Sequence, residues 1–458
     1  MSGLTGSRAE AEAEAEAEAE AEAEAEAEQP FVLADAPMRK GQILAVAMCV
    51  LLNALDGFDV LSISFASPGI ASEWGIQRDT LGVVLSMELI GMAAGSLTLG
   101  TVCDRWGRRP TILACLLLMA TGMAMAAGVG SVAALSATRL LTGVGIGGML
   151  AATNAATAEM ANRRRHDLSV ALMAAGYPLG AVVGGAIASG LLVEHGWRTI
   201  FLFGAGASLL AIPLVLWLLP ETIPFLARGA APDALDRINR RLAIWGHPPM
   251  ARFPDLTPTV AKAPVRQLFQ PELRRVTVCL ILAYVAQILT FYFILKWTPA
   301  IVRDMGFAPS TAGGVLVWAN VGGLAGSIAL SLLSTRIPVK WLTISGMVVG
   351  AALVALFGRS GADLHQLSLF AGLAGFCTNA GMVGLYALLA SAFPSSARAT
   401  GTGLVIGLGR GGAALSPILA GFLFQSGASL PAVAALMGLG SVAAALSLLA
   451  CGTIRRQH

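Results

Sequence analysis

The chain has 458 residues, 56% of them hydrophobic and only 12% charged, with 53 glycines and a mean hydropathy of +0.73. A soluble globular protein carries about twice that charge fraction, so the composition excludes one and points to a polytopic membrane protein. The net charge of +3 conceals a basic excess: ten of the 27 acids are the alternating Glu10 to Glu28, and without them 30 basic residues face 17 acidic ones, an excess of +13.

In chain order, 9–28 is an Ala-Glu repeat with like charges at i,i+4, and 1–40 is expected to be a solvated acidic tail. From Gly41 onward twelve apolar segments follow, each long enough to cross ~30 Å at 1.5 Å per residue. The first six spans fall at 42–66, 80–101, 110–130, 133–160, 168–193 and 198–219. A basic, Pro-containing stretch over 220–275 then reads as a central loop with short amphipathic helices. The last six spans fall at 276–300, 311–334, 340–358, 366–393, 398–424 and 430–451, and 452–458 is a short tail. The fold class is therefore all-α, with six-helix bundles over 41–219 and 276–451. No cleavable signal is expected, since the first apolar run is too long for one and directs insertion itself. Basic residues crowd one set of loops (Arg39-Lys40, Arg105, Arg108 and Arg109, Arg163 to Arg165, Arg336, Lys340, Arg455-Arg456), which puts both termini in the cytoplasm of a bacterial-type inner membrane. The six cysteines show no C-x-x-C spacing and the five histidines are scattered, so no metal, cofactor or disulfide framework is expected.

The first span carries Asn53-Ala-Leu-Asp-Gly-Phe-Asp59. A carboxylate at mid-bilayer depth costs about 3 kcal/mol or more, which makes Asp56 and Asp59 functional candidates. They share a helix face with Asn53 and are expected to titrate as one coupled site that loads a proton. Arg139, in the fourth span, stands at a depth similar to Asp59, so an Asp–Arg pair across the cavity is expected, serving either transport or structure. Arg410 lies about 18 Å into the eleventh span, close to the midplane. Its planar fork suits a substrate carboxylate. Asn320, Asn379, Gln287, Tyr292 and Tyr386 either bond a substrate or hold helices together. Phe58, Phe291, Phe293 and Trp318 either stack on an aromatic ring or pack. Lys296 either attracts anions at the cavity mouth or anchors at the interface.

Several motifs resemble those of a known family. Gly100-Thr-Val-Cys-Asp104-Arg105-Trp-Gly107-Arg108-Arg109 matches the G-x-x-x-D-R-x-G-R-R latch of the major facilitator superfamily, which steadies the outward-facing state there. Its counterpart around Thr335 and Arg336 is degraded. Arg139-Leu-Leu-Thr-Gly143-Val-Gly145-Ile-Gly147 resembles the superfamily's fourth-helix pattern, and Pro220-Glu221-Thr222 its sixth-helix end. Asp56-Gly57-Phe58-Asp59, Glu159 before Arg163, and Arg398 with Gly409-Arg410-Gly411 look like the aromatic acid:proton symporter family. The resemblance implies a twelve-helix transporter, not an enzyme, working by alternating access. It implies proton coupling at Asp56 and Asp59, and substrate contacts from Arg410 and Arg139, with Asn379, Asn320 and Tyr292 as further candidates. Asp104, Arg105, Arg108, Glu159 and Arg398 would act as gate residues, although Glu159 and Arg398 also suit loop solvation. The expected partners are protons, a small organic anion, most simply an aromatic acid such as benzoate or hydroxybenzoate, and the lipid bilayer. No nucleic acid is expected, and the protein should act as a monomer. The rivals are a proton antiporter exporting drugs and an importer of muconate-like or quinate-like acids.

Overall fold

A computed structural model describes residues 36–228, 233–250 and 264–451. The acidic repeat and the last seven residues lie outside the described residues. Among the described residues, twelve helices are long and apolar enough to cross a membrane. They are α1 (Lys40–Trp74), α2 (Arg78–Trp106), α3 (Arg108–Gly128), α4 (Val132–Met160), α5 (His166–Glu194) and α6 (Arg198–Leu218), then α9 (Pro271–Asp304), α10 (Pro309–Leu333), α11 (Val339–Phe357), α12 (Leu364–Ala392), α13 (Ser395–Gln425) and α14 (Leu430–Ala450). Between the sixfold sets the described residues form two short α-helices, α7 (Ile223–Arg228) and α8 (Ala234–Trp245), and a 3-10 turn at Val265–Phe269. With twelve crossings, both ends of the chain emerge at one end of the molecule, the terminal end; the other is the distal end.

Local chemistry sets the breaks between spans. Gly107 turns the chain between α2 and α3 with φ +103, a conformation costly for any residue with a Cβ. Ser131 caps α4 by accepting the amide of Ala134 at 3.3 Å, and Asp363 caps α12 by accepting that of His365 at 2.9 Å. Proline opens α9 and α10, where its missing N–H is no loss. The largest departure from the expected boundaries is in α1, which runs through Pro68 to Trp74 instead of stopping near residue 66. Pro68 deprives the Ser64 carbonyl of its helical donor, and the Ser67 hydroxyl donates to that carbonyl instead, at 2.9 Å.

Small residues zip the helices together within each half. A Cβ on Gly143 of α4 would lie 2.1 Å from the Glu88 carbonyl of α2, and one on Gly57 of α1 would lie 2.0 Å from the Tyr177 carbonyl of α5. Neither space exists for a side chain, so the backbones touch.

The halves meet through α2 with α13, α5 with α10, and α1 with α9. Their described polar contacts gather toward the distal end. Arg78 and Asp304 form an ion pair at 2.8 Å, and Gln425 donates to Gln77 at 3.1 Å. Among the described residues, α4 and α5 pack to no comparable extent on α12 or α13, the pairs that would close the terminal end. The conformation is thus sealed distally and cleft toward the termini.

Candidate functional site

Three clusters carry the chemistry. The first is a buried charge cluster in the first six helices. Arg139 has no solvent exposure, and its guanidinium donates to Glu88 of α2 at 2.5 Å. It also donates to the Asp59 main-chain carbonyl at 3.1 Å and the Ser62 hydroxyl at 3.2 Å, and stacks over Phe201 at 5.2 Å. The expected direct pair with Asp59 is therefore corrected: Arg139 hydrogen-bonds that residue's backbone and stays within electrostatic reach of its side chain, but its ion-pair partner is Glu88. The reason is rotation about the helix axis. Gly91, Gly95, Gly143 and Gly147 press α2 onto α4, which sets Glu88 against Arg139. The Asp59 carboxylate instead turns toward Gly204 on α6, where an added Cβ would be 3.1 Å away. Asp56 and Asp59 are both wholly buried, and none of their four carboxylate oxygens has a hydrogen-bond donor. Asn53, on the same face, is tied into the helix packing: it donates to the Met173 carbonyl of α5 at 2.6 Å.

Lys296 reaches this cluster from the other half. It is fully buried on α9, donates to the Val60 carbonyl of α1, and stands 3.5 Å from Glu88. Of its two sequence readings, interfacial anchoring is ruled out by this burial.

The second cluster surrounds Arg410 on α13. The chain has four tyrosines, and all four converge here. The Tyr284 and Tyr386 hydroxyls are 3.0 Å apart, with their rings edge to face at 5.9 Å. Arg410 lies within electrostatic reach of Tyr284 and Tyr292. Tyr177, from α5, lies within reach of Tyr292 and Tyr386 on one side and of Asp56 and Glu88 on the other, so it spans the seam between the halves. The Arg410 guanidinium is half-buried, and its described contact is a long 3.5 Å approach to the Met92 carbonyl of α2. It is held near the cleft with its fork largely unspent.

Other sequence candidates in this half are committed to packing. Asn379 donates to the Gly323 carbonyl at 2.7 Å and the Ser327 hydroxyl at 2.8 Å, joining α12 to α10. Asn320 donates to the Leu316 carbonyl of its own helix at 2.9 Å. Gln287 donates to the Thr378 carbonyl at 3.1 Å and accepts from Ser441 at 2.8 Å. Phe58 is buried against Phe203 at 5.3 Å, whereas Trp318 is exposed.

The third cluster sits at the terminal end. Arg108 is buried, donates to Glu159 at 2.7 Å and to the Cys103 carbonyl at 3.0 Å, and meets Asp104 at 3.2 Å. Glu159 in turn accepts from Thr222 at 2.5 Å. Asp104 is exposed and does not cap α3. That role falls to Glu221, whose carboxylate accepts the first two amides of the helix, Arg108 at 2.9 Å and Arg109 at 3.2 Å. Arg105 and Arg398 are exposed. The latch residues are thus bound within one half, and the described contacts leave Asp104 on the cleft side of an unsealed end.

Sequence reasoning missed Glu88, Tyr177 and Tyr284. An acid inside the apolar run around Leu85 and Leu89 was detectable by the argument that singled out Asp56, and a chain with four tyrosines invites asking where each one goes. Among the described residues, no three His, Cys, Asp or Glu side chains stand together as a metal site would need.

The comparisons with known proteins agree in direction. A model of the Major Facilitator Superfamily matches residues 49–358. A gallate transporter of Pseudomonas putida is 32% identical over 92% of this chain and 94% of its own length. A 4-hydroxybenzoate transporter of Acinetobacter baylyi is 29% identical over 91% of this chain and 92% of its own. Among solved structures, a D-xylose-proton symporter superposes with a TM-score of 0.69 at 17% identity, over 89% of this chain and 97% of that one, a likeness of fold.

Proposed function

The chain belongs to the major facilitator superfamily, with aromatic acid transporters as relatives, and we propose that it imports a small aromatic carboxylate together with a proton by alternating access. The observation that carries this reading is a cluster of all four tyrosines, two of which, Tyr284 and Tyr292, lie within electrostatic reach of Arg410. A guanidinium fork pairs with a carboxylate bidentately. Tyrosine hydroxyls donate to or accept from ring hydroxyls, and tyrosine rings offer edges and faces to an aromatic ring. Gallate and hydroxybenzoate, carried by the relatives, present both halves of that pattern.

Proton coupling is assigned to Asp56 and Asp59. As ions, both would forgo hydration with no donor in return, and a proton on either removes much of that cost. The acids and Arg410 stand in different halves, so coupling runs through the seam that Tyr177 spans. The basic loops assign the terminal end to the cytoplasm of an inner membrane, which makes the present conformation inward-open. Fixed cations at Arg410 and Lys296 argue against a cation-exporting antiporter.

The test is uptake of radiolabelled gallate and 4-hydroxybenzoate into whole cells under an inward proton gradient, beside a lipophilic cation. Accumulation of an aromatic acid that an uncoupler abolishes supports the reading. Gradient-driven export of the cation, or acid uptake indifferent to the uncoupler, overturns it.

A further inference from the structure

Glu88 divides its two oxygens between the halves. One takes Arg139 of its own half at 2.5 Å, and the other stands 3.5 Å from Lys296 of the opposite half. All three side chains have no solvent exposure. The groups facing Glu88 are Arg139 from α4, Lys296 and Tyr292 from α9, Asp59 from α1 and Tyr177 from α5, with Arg410 of α13 about one turn away at Met92. Among the described residues, Lys296 is the single fully buried charge of α9–α14, and it spends that charge across the seam. A charge pair in such an apolar setting is worth far more than one in water. The other cross-half pair, Arg78–Asp304, has side chains 41% and 48% exposed, and pairs of that kind contribute little.

We propose that Glu88 and Lys296 form the lock that holds the distal side shut, with Lys296 as the positioning residue whose release lets the halves part outward. Arg139 fixes the carboxylate so that its second oxygen stays aimed at the seam, and the Val60 carbonyl gives the ammonium its second partner. Opening the distal side separates α1 and α2 from α9 and strands the Lys296 ammonium, while Glu88 keeps Arg139, which makes the lock the main electrostatic resistance to that motion. The inference rests on the alternating-access reading but not on the identity of the substrate.

A substrate-free labelling experiment tests it. Ser189 on α5 has its hydroxyl buried against Gly313 of α10 in the distal seam. Ser189→Cys, in a chain whose six native cysteines are replaced by alanine, reports distal opening through its reaction with a membrane-impermeant maleimide added outside cells. Lys296→Gln should raise the labelling rate about tenfold, Lys296→Arg should keep it near the parent rate, and Arg78→Gln should change it less than about threefold. Lys296→Gln leaves Glu88 paired with Arg139, so folding should survive. Should it not, Glu88→Gln removes the same lock from the other side and should raise labelling likewise. Parent-rate labelling in whichever of these two variants is monodisperse overturns the lock, as does equal acceleration by Lys296→Arg. Because no substrate is present, failure of the aromatic-acid reading leaves this result intact.

Discussion

The two halves of the molecule solve the burial of polar groups in opposite ways. In the second half nearly every buried polar side chain has a partner: Gln287 with Thr378 and Ser441, Asn320 with Leu316, Asn379 with Gly323 and Ser327, Thr290 with the Met437 carbonyl. The first half buries Asp56, Asp59, Glu88, Arg108 and Arg139, and leaves the carboxylates of Asp56 and Asp59 without donors. Satisfied groups of that kind are structural glue, whereas an unsatisfied buried acid calls for another explanation. On the proposed reading the contrast divides the labour: protons in the first half, ring recognition in the second, with Lys296 and Tyr177 as the residues that cross over.

The sharpest way to break this division is Asp59→Asn. It should abolish accumulation of aromatic acid above equilibrium while exchange of labelled for unlabelled substrate persists. Full accumulation in vesicles with an imposed proton gradient would remove the first half from proton handling. Arg410→Gln comes next: losing a charged bidentate contact of about 3 kcal/mol should weaken substrate binding about a hundredfold, read from the concentration dependence of uptake. An unchanged KM would mean that the second half does not hold the carboxylate. Asn379→Leu should lower thermal stability by about 1.5 kcal/mol and leave KM alone, since both its donors are spent on α10. A raised KM at normal stability would restore Asn379 to the substrate site. Tyr386→Phe should raise KM about fivefold for a hydroxylated ring and hardly at all for benzoate, because one hydroxyl is lost. Equal effects on both would argue for ring packing over hydrogen bonding.

The smallest effect lies outside the membrane. His247 follows α8, is buried, and bonds Gln42 of α1 at 3.0 Å. Burial, reinforced by the charge of Arg39, holds its imidazole below the ordinary value. A histidine that is harder to protonate folded than unfolded stabilises docking fully above about pH 6.5, and that contribution fades as pH falls below it. The protection of α8 amides, referred to the intrinsic exchange rate at each pH, should therefore fall at pH 5 relative to pH 7.5, and fall less or not at all in His247→Gln.

Much of this architecture was legible from hydropathy alone, because a spanning helix must be long and apolar whatever it packs against. All twelve spans fall where the apolar runs stand, and the family motifs sit on the turns expected of them. Depth along each helix was legible too, but azimuth was not. Asp59 and Arg139 do lie at similar depths, yet which side each faces depends on glycine contacts such as Gly143 on Glu88, between residues 55 apart in the chain. The same limit hid the partner of Arg108: Glu159 and Arg108 come together only when α2, α3 and α4 pack. It also obscured the use of the glycine in Asp56-Gly57-Phe58-Asp59, which admits the Tyr177 backbone and so brings that tyrosine to the seam.

The gathering of every tyrosine at one place has an experimental consequence. Substituting fluorotyrosine throughout the protein labels Tyr177, Tyr284, Tyr292 and Tyr386 and nothing else. A fluorine spectrum would then hold four resonances, all from the proposed recognition site and one of them on the opposite half. Ligand entry and the parting of the halves would be read from the same four lines, without a single mutation.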